Sequence, residues 1–545
     1  MTRTHDEFDY IIVGSGSAGA VVAARLSEDP HVSVLLLEAG RKDDHPFGLM
    51  PIAFPRVAVA RAYVWPFESE PEPGLDGRRL PAWRGRMLGG CSSINAMINV
   101  RGHPLDFDSW RDRGLEGWDY ASVLPYFRRL ERSWRGANAY HGAEGPVAIT
   151  PVDYPGSLFL QLQQAAANMG LPIRNDHHAE SPEGLSRIEL TVDRGARAST
   201  ARAYLWPAMG RRNLTVRTGS QVTRVMLDGL RATGVEYVRS GKREAARAAR
   251  EVILSGGAYN SPQILQLSGI GPAAHLEAVG VKVVHDLPGV GSNLIEHPNL
   301  LNVFRVRNRA GFTKYLRFDR AALAMLQWYL FRNGPFTTAG SVANLIWRTR
   351  PEVRRPDLQI ISVAVHQHAR LWFPLLTAPP EYAVTARIGA LHPQSRGWVR
   401  LRSANPLDAP RFQFNMLTEP ADVDAMIRGL ELSRELYSQP PLRDIVAAEL
   451  LPRPEARSRA DIVAHLRRAV EHRHHPLGTC RMGPANDPDA VVDAQLRVHG
   501  IENLRVVDAS VMPDDPSGNT NVPTIMIGEK ASDLIRGRSL PPAEL

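Results

Sequence analysis

The stretch FDYIIVGSGSAGAVVAARLSEDPHVSVLLLEAG, residues 8–40, decides the fold. Tyr10 to Val13 form a short apolar run that is typical of a buried parallel strand. Residues 20–26 are rich in alanine and leucine and predict a helix, and Val32 to Leu37 predict a second buried strand. Since a glycine-rich turn joins the first strand to the helix, the stretch predicts the opening unit of a doubly wound α/β domain.

The turn has the spacing of a dinucleotide-binding site. Gly14 permits a tight turn, Gly16 lets the backbone approach a pyrophosphate, and Gly19 lets the helix pack closely on the strand. Glu38, at the end of the second strand, can accept hydrogen bonds from an adenosine ribose and disfavours a 2′-phosphate. The predicted contacts of this unit also include Ser15, Ser17, Ala18 and Ala39. The motif indicates the adenosine diphosphate half of a cofactor and leaves NAD and FAD open.

Composition limits the other classes of protein. The 545 residues carry a formal charge of +8, but only five are lysine and no aromatic residues interleave the basic run at residues 240–250, so we expect no nucleic-acid partner. Two cysteines, Cys91 and Cys480, exclude a disulfide framework. No apolar run reaches the roughly 18 residues that an integral membrane segment needs. A cytoplasmic protein is expected, with peripheral attachment at an inner membrane as the alternative.

Four more stretches carry distinctive patterns. Residues 83–102, WRGRMLGGCSSINAMINVRG, are dense in small side chains that allow backbone to pass close to a flat ligand. Residues 256–272 predict a turn and a short helix stopped by Gly269. Residues 504–530 predict a strand, a loop at Asp508, and a helix from about Val522 with Asn521 as its N-cap and Pro523 in its first turn. Residues 472–483, HRHHPLGTCRMG, leave a metal, nucleophile or acid/base site open.

These motifs, in this order, resemble those of the glucose–methanol–choline oxidoreductases, a family of FAD enzymes that oxidise alcohols. The resemblance covers Asp9 to about Arg536. It implies an α/β (α+β overall) fold, in which a doubly wound FAD-binding domain carries an inserted substrate domain of antiparallel sheet and helices. We predict that residues 6–154, 211–299 and 469–540 form the FAD domain and that 155–210 and 300–468 form the substrate domain. The runs PDLQIISVAV and YAVTARIGAL predict strands of the latter.

The resemblance also implies the site. The family's histidine before P-x-G-T matches His475, and its asparagine before the last helix is assigned to Asn521. A histidine base can take the hydroxyl proton as hydride leaves for flavin N5, and the amide can hold the same oxygen. The remaining predicted cofactor contacts are Gly89, Gly90, Ser93, Asn95, Ala96, Met97, Val222, Asp508, Ala509 and Pro523. No metal is predicted, and the two cysteines are expected to serve packing.

The chain departs from the family pattern at three places. Ile94 stands where some relatives attach FAD to a histidine, so the FAD is expected to be non-covalent. Asn299 stands where choline oxidisers carry an acidic residue, which counts against choline. Arg473 and His474 precede the base, where an apolar and an aromatic residue are usual. A buried arginine needs an acceptor, which either a protein carboxylate or the substrate supplies.

The expected activity is oxidation of a primary alcohol to an aldehyde. The alternative is an FAD-containing lyase that cleaves cyanohydrins without net redox chemistry, because some resembling enzymes use the same base for that purpose. Oxygen or a quinone is expected as electron acceptor, and the motifs do not distinguish them. The expected partners are thus a small-molecule alcohol and one of these acceptors.

Overall fold

The computed structural model describes residues 6–154, 157–307, 311–366 and 369–545. The predicted domain boundary after residue 154 therefore falls beside residues outside this description. The strands are β1 (Glu7–Val13), β2 (Val34–Leu37), β3 (Val64–Trp65), β4 (Arg84–Gly85), β5 (Glu131–Ser133), β6 (Val147–Pro151), β7 (Ile173–Arg174), β8 (Gly184–Arg187), β9 (Glu189–Leu190), β10 (Val192–Asp193), β11 (Ala196–Arg197), β12 (Leu214–Arg217), β13 (Ser220–Asp228), β14 (Arg231–Arg239), β15 (Lys242–Leu254), β16 (Ile270–Gly271), β17 (His285–Asp286), β18 (Pro298–Val306), β19 (Ser341–Trp347), β20 (Leu358–Val363), β21 (Ala383–Ala390), β22 (Trp398–Arg400), β23 (Arg411–Gln413), β24 (Val446–Leu451), β25 (Glu471–His472) and β26 (Leu504–Val506).

The α-helices are α1 (Gly19–Leu26), α2 (Phe54–Ala58), α3 (Pro104–Arg111), α4 (Tyr120–Leu130), α5 (Phe159–Asn168), α6 (Trp206–Ala208), α7 (Gly257–Leu267), α8 (Ala273–Ala278), α9 (Phe318–Phe331), α10 (Pro420–Ser438), α11 (Leu442–Ile445), α12 (Arg459–Ala469) and α13 (Asn521–Ile535). Within the described part of the chain, no helix has the length and apolar character needed to cross a bilayer.

A parallel sheet forms the centre of the first domain. Its strands run in the order β12, β2, β1 and β15, with β26 added beside the end of β15. The carboxyl ends of β1, β2, β15 and β26 meet at one edge, because Val13, Leu37 and Leu254 are in register and Val506 pairs with Leu254. The predicted doubly wound domain, assembled from separated segments, is thereby confirmed, and its ligand edge is defined.

The second sheet is almost entirely antiparallel. Its order is β24, β18, β21, β20, β19, β8 and β7, and β25 pairs with the start of β18. The runs predicted as strands at 356–365 and 382–391 are β20 and β21. This sheet includes β25, at residues 471–472, which the predicted segments assign to the FAD domain. The domain boundaries themselves stay a prediction.

The two faces of the antiparallel sheet differ in character. One face is apolar and packs on α10, where Gly429 leaves room for Ile388 and Leu358, and Tyr437 stacks on Phe304 with 4.4 Å between ring centroids. Strand register places polar side chains on the opposite face: Asn299, Asn344, Gln359 and Arg387. Because β25 leads directly into residues 473–475, this polar face borders the histidine-rich stretch.

Candidate active site

The glycine-rich turn has the shape that a pyrophosphate cradle requires. Gly14 has a φ of +96°, and a Cβ there would collide with the carbonyl of Ser255. A Cβ at Gly19 would collide with the carbonyl of Gly14, so only glycine allows α1 to begin this close to β1. At Gly16, by contrast, a Cβ would meet no atom within 4 Å. The open space beside Gly16 and the first amides of α1 fit the phosphates of a dinucleotide.

Glu38 follows β2 at the same edge. Its Oε2 accepts hydrogen bonds from the Ser15 amide at 3.0 Å and the Ser15 hydroxyl at 2.6 Å, and its Oε1 accepts from the Gly40 amide at 2.8 Å. Burial is the main cause of a raised pKa for this carboxyl, and the three donors oppose it. Glu38 therefore holds the turn in place, and half-buried Ala39 lies beside it. Contact with a ribose stays a prediction.

A second loop crosses the turn. Gly89 donates its amide to the Ser15 carbonyl at 2.9 Å, and a Cβ on Gly90 would lie 2.8 Å from the Cα of Gly16. The Ser93 hydroxyl donates to the Leu88 carbonyl at 2.8 Å, which ties the loop to itself. Ile94 is buried. The small residues of this loop thus form one wall of the predicted cofactor cradle.

The other predicted cofactor contacts lie in several separate segments of the chain. Asn95 Oδ1 accepts from the Met97 amide and from Arg197, which fixes the backbone next to half-buried Ala96. Met97 is buried with a φ of +61°. The Asp508 carboxylate accepts from the Gly257 and Ser510 amides and from the Ser261 hydroxyl, just before Ala509. Val222 is buried in β13, and Pro523 is buried in the first turn of α13.

His475 stands at the end of a line of buried polar groups. Its Nε2 accepts a hydrogen bond from Asn519 Nδ2 at 3.1 Å, and its Nδ1 lies 3.1 Å from Nδ1 of His297. His297 Nε2 lies 2.7 Å from Asp515 Oδ2, and both of these residues are fully buried. Because Asn519 donates to Nε2, His475 carries its proton on Nδ1 and donates to His297, which donates in turn to Asp515. The basic lone pair of His475 is thus held on Nε2.

Arg473 determines which atoms of the neighbouring Gln359 and Asn519 side-chain amides donate hydrogen bonds and which accept them. A guanidinium only donates, so Oε1 of Gln359 faces Arg473. Gln359 Nε2 is then left to donate to Asn519 Oδ1 at 3.3 Å and to Asn344 Oδ1 at 3.0 Å. Since its Oδ1 is engaged, Asn519 presents its Nδ2 to the imidazole. The protonation pattern of His475 therefore follows from the presence of an arginine two residues earlier.

The structure places Asn521 elsewhere. Its Oδ1 accepts a hydrogen bond from the Ser17 hydroxyl at 2.7 Å, which joins α13 to the glycine-rich turn. Asn521 is also the first residue of α13, whose N-cap is Thr520 without a side-chain capping bond. The expected N-cap at Asn521 is therefore wrong, and the amide beside His475 belongs to Asn519, two residues nearer the preceding loop.

The environment of His475 keeps its imidazole neutral. Burial is the largest cause of a pKa well below 6.5, and the neighbouring His297 and Arg473 lower it further, whereas Asp515 acts in the opposite direction. Burial also acts to raise the pKa of Asp515, but its close hydrogen-bonded contact with His297 holds that pKa below its usual range. A neutral base with a carboxylate two bonds of the network away can accept a proton and share the resulting charge.

Arg473 is buried and its partners are neutral. It donates to Asn299 Oδ1 at 3.3 Å, to the Gln359 carbonyl at 3.0 Å and to the Arg387 carbonyl at 2.6 Å, besides the Gln359 side chain. No carboxylate among the described residues forms an ion pair with it. His474 has an exposed side chain, and its ring lies against that of His472 with 4.2 Å between the ring centroids.

The cysteines lie in different surroundings. Cys480 is buried, and burial raises the pKa of its thiol well above 9.0, which keeps it neutral and agrees with a packing role. Cys91 Sγ is approached by Arg84 at 3.1 Å and by the Gly85 amide at 3.3 Å. In the described ranges, no group of histidine, cysteine and acidic side chains is arranged to hold a metal ion.

Several residues of this site were not expected from the sequence. His297 is 178 positions from His475 and 218 from Asp515, so no local pattern links them. Gln359 and Asn344 are ordinary polar positions on strands. The one available signal was the acidic pair Asp514–Asp515 just before GNTN, which is unusual in a buried loop.

The combination of a dinucleotide cradle with a neutral, half-buried histidine that follows a strand of an antiparallel sheet is what a flavin-dependent oxidoreductase requires. Family models described as GMC oxidoreductase match residues 8–299 and 393–528. The chain belongs to this family, and the resemblance drawn from its motifs is confirmed. It is an FAD-dependent oxidoreductase that acts on CH–OH donors.

Individual relatives span nearly the whole chain. It is 41% identical to mitochondrial choline dehydrogenase of Mus musculus, over 98% of this chain and 90% of the relative. It is 40% identical to an oxygen-dependent choline dehydrogenase of Chromohalobacter salexigens, over 100% of this chain and 98% of the relative. Among solved structures, pyridoxine 4-oxidase from Mesorbium loti is 33% identical with a TM-score of 0.85, covering 96% of this chain and 98% of that one.

Proposed function

We propose that the enzyme oxidises a primary alcohol to an aldehyde with His475 as the base and Asn519 as its amide partner. The observation that carries the proposal is the line from Asp515 through His297 to His475, which ends in a basic lone pair beside an amide donor. FAD supplies the hydride acceptor when it is bound. The chain's own residues orient the alcohol and move its hydroxyl proton.

The sequence of proton movements follows from the hydrogen-bond directions. A substrate hydroxyl placed between Asn519 Nδ2 and His475 Nε2 donates its proton to Nε2 and accepts from the amide. The imidazole then becomes positively charged, and its Nδ1–H donates towards His297, whose Nε2–H donates to Asp515. The carboxylate stabilises the charge as it forms. The amino end of α13 directs its positive partial charge to the same region.

FAD is proposed to be held without a covalent bond, because buried Ile94 cannot form one. The acceptor is oxygen or a quinone, and a cytoplasmic location stays a prediction. Choline is the named substrate of the two curated relatives described above. For this chain, Asn299 and the neighbouring cations argue against a quaternary ammonium group.

Anaerobic mixing of the yellow protein with a panel of primary alcohols tests the proposal. Bleaching of the flavin absorbance is expected with at least one alcohol, and the rate should fall on the order of 10²- to 10⁴-fold in His475→Ala. Release of aldehyde and cyanide from an added cyanohydrin, with no alcohol bleaching the flavin, would favour the cyanohydrin lyase instead. Reoxidation in air, compared with reoxidation by a soluble quinone, identifies the acceptor. A His475→Ala variant that reduces at the parent rate would remove this residue as the base.

A further inference from the structure

The polar face of the antiparallel sheet carries two cations, buried Arg473 and half-buried Arg387. Arg473 makes four hydrogen bonds, all to neutral acceptors. Gly389 opposite it has no side chain, and a Cβ there would collide with the guanidinium, so this glycine gives Arg473 its room. Arg387 lies on the same face, two residues along β21, and its charge acts on Arg473. The charges of Glu296 and Asp515 also act on Arg473, but neither carboxylate forms an ion pair with it within the described residues.

Two buried hydrogen-bond donors on this polar face have no acceptor among the described residues. Arg387 Nε and Asn299 Nδ2 are buried and form no hydrogen bond in the described part of the chain. Glu471 is the acid whose charge acts on Arg387, but within the described residues it forms no ion pair with either arginine. Burying donors without acceptors is costly, so this wall is suited to a ligand that brings acceptor oxygens.

We propose that Arg387, Arg473 and Asn299 form a subsite for a carboxylate carried by the alcohol substrate. Arg473 and the Asn519–His475 pair are separated by one carboxamide, that of Gln359. An alcohol whose carboxylate lies a few bonds from the carbinol can therefore reach both places. A planar guanidinium recognises a carboxylate with paired hydrogen bonds. The inference rests on the proposed function, since it assigns the substrate class of that site.

Benzoate binding to the holoenzyme tests the subsite without turnover. We expect benzoate to perturb the flavin spectrum and benzamide to bind at least tenfold more weakly. Arg387→Met should weaken benzoate roughly ten- to hundredfold, because it removes one charged donor. Asn299→Asp should do the same, because a carboxylate next to Arg473 Nε would neutralise the cation internally. Arg224→Met, which removes a surface partner of Glu236, is the matched control and should change nothing.

The turnover experiment is a matched pair, benzyl alcohol and 4-(hydroxymethyl)benzoate. In both subsite variants the ratio of kcat/KM for the carboxylated over the neutral alcohol should fall about tenfold or more. The subsite would be overturned if both variants bound benzoate as tightly as the parent and kept the parent's ratio of kcat/KM values. The proposed function would then remain intact. Conversely, failure of every alcohol to bleach the flavin would count against the proposed function, and benzoate titration would still report on the subsite.

A different observation carries a second inference. Of the eighteen large hydrophobic side chains exposed in the described residues, ten lie on α9 and on the neighbouring loop 371–376. The two segments are joined, since Phe318 stacks on Phe373 with 4.5 Å between ring centroids. Leu375 and Leu376 form the tip, and Leu375 is fully exposed. The exposed set is Phe318, Leu323, Leu326, Tyr329, Leu330, Phe331, Leu371, Phe373, Leu375 and Leu376.

We infer that this α9–loop patch docks on the surface of an anionic phospholipid membrane. Residues 314–332 and 369–376 contain five basic residues and one acid, Asp319, a local charge of +4. A helix that buries Trp328 inside the protein and presents leucines and aromatic rings outward, with basic residues around them, matches the interfacial helices of peripheral proteins. With 14 residues it is too short to span a bilayer.

Flotation of the holoenzyme with vesicles tests the membrane surface. Binding is expected to vesicles of 70% phosphatidylcholine and 30% phosphatidylglycerol and to be much weaker to phosphatidylcholine alone. The double variant Leu375→Glu/Leu376→Glu should lower binding at least tenfold, whereas Leu160→Glu, an exposed leucine on α5, should not. Equal flotation of parent and double variant would overturn the inference. So would a concentration-dependent dimer that the same double variant abolishes, because a second copy would then cover the patch.

Discussion

Asp515 influences the pKa of the proposed base, His475, without touching it. Its carboxylate accepts from His297, and His297 faces His475. Of the groups that act on His475, Asp515 raises its pKa, while burial and the nearby cations lower it. The neighbouring Asp514 accepts instead from Arg113 at 3.0 Å and Arg355 at 3.2 Å, away from this line. Substituting each of these adjacent acids in turn therefore compares a carboxylate in the line to His475 with one outside it.

Asp515→Asn should slow anaerobic flavin reduction roughly 10- to 100-fold, because the charge that forms on His475 loses its distant counter-charge. A base acts above its pKa, so the lowered pKa of His475 predicts a parent rate that holds its plateau below pH 6.5. Without Asp515 that pKa falls further, and the profile should shift to lower pH while the plateau drops. Asp514→Asn is the control. If Asp515→Asn lowered the plateau rate of flavin reduction without shifting its pH dependence, Asp515 would have only a structural role.

At the scale of elements, the amino end of α13 divides two jobs between asparagines two residues apart. Asn519, before the helix, faces His475, and Asn521, in its first turn, holds Ser17 of the glycine-rich turn. Asn519→Ala should slow flavin reduction about 10- to 100-fold. Asn521→Ala should keep the reduction rate and lower the free energy of unfolding by about 1 kcal/mol, as Ser17→Ala should. The opposite pattern, with only Asn521→Ala slow, would return the catalytic assignment to Asn521.

Two glycines of the glycine-rich turn are expected to serve different purposes: Gly19 serves folding, and Gly16 serves cofactor binding. A Cβ on Gly19 would collide with the Gly14 carbonyl, whereas a Cβ on Gly16 would meet no protein atom within 4 Å. Gly19→Ala should therefore lower the melting temperature of the apoprotein. Gly16→Ala should leave it close to the parent and reduce the FAD content, because the methyl group would occupy the pyrophosphate space. Normal FAD content in Gly16→Ala would show that the phosphates lie elsewhere.

At the scale of the whole molecule, the cradle draws on segments far apart in the chain: the turn after β1, the loop at Gly89, Asp508 and α13. FAD that binds only the folded arrangement should stabilise it by mass action, about 1.4 kcal/mol for each tenfold rise in FAD concentration above the Kd. Because Ile94 offers no attachment, acid precipitation should release all of the flavin into the supernatant. Yellow colour that stays with the denatured polypeptide would contradict non-covalent binding. Thermal unfolding at several FAD concentrations measures the first effect.

The sequence by itself determined the class of fold and pointed to His475 as the proposed base. The strand, turn and helix of residues 8–40 are contiguous, and the buried strands and α1 follow from local patterns of apolar residues and glycines. His475 was assigned as the proposed base through the resemblance of its short motif to that of the family. The doubly wound domain, the antiparallel sheet and α7 ending before Gly269 all agree with those patterns.

Only the tertiary structure decided what surrounds the base. Whether Asn519 or Asn521 faces His475 depends on where α13 begins, a difference of one or two residues that helix propensity does not resolve. His297, Gln359 and Asp515 come from three distant segments and meet because β18, β20 and the loop before α13 converge beside β25. The neutral partners of Arg473 belong to neighbouring strands. The direction of these hydrogen bonds and the burial of these groups depend on contacts between distant segments. They therefore cannot be predicted from any short stretch of sequence.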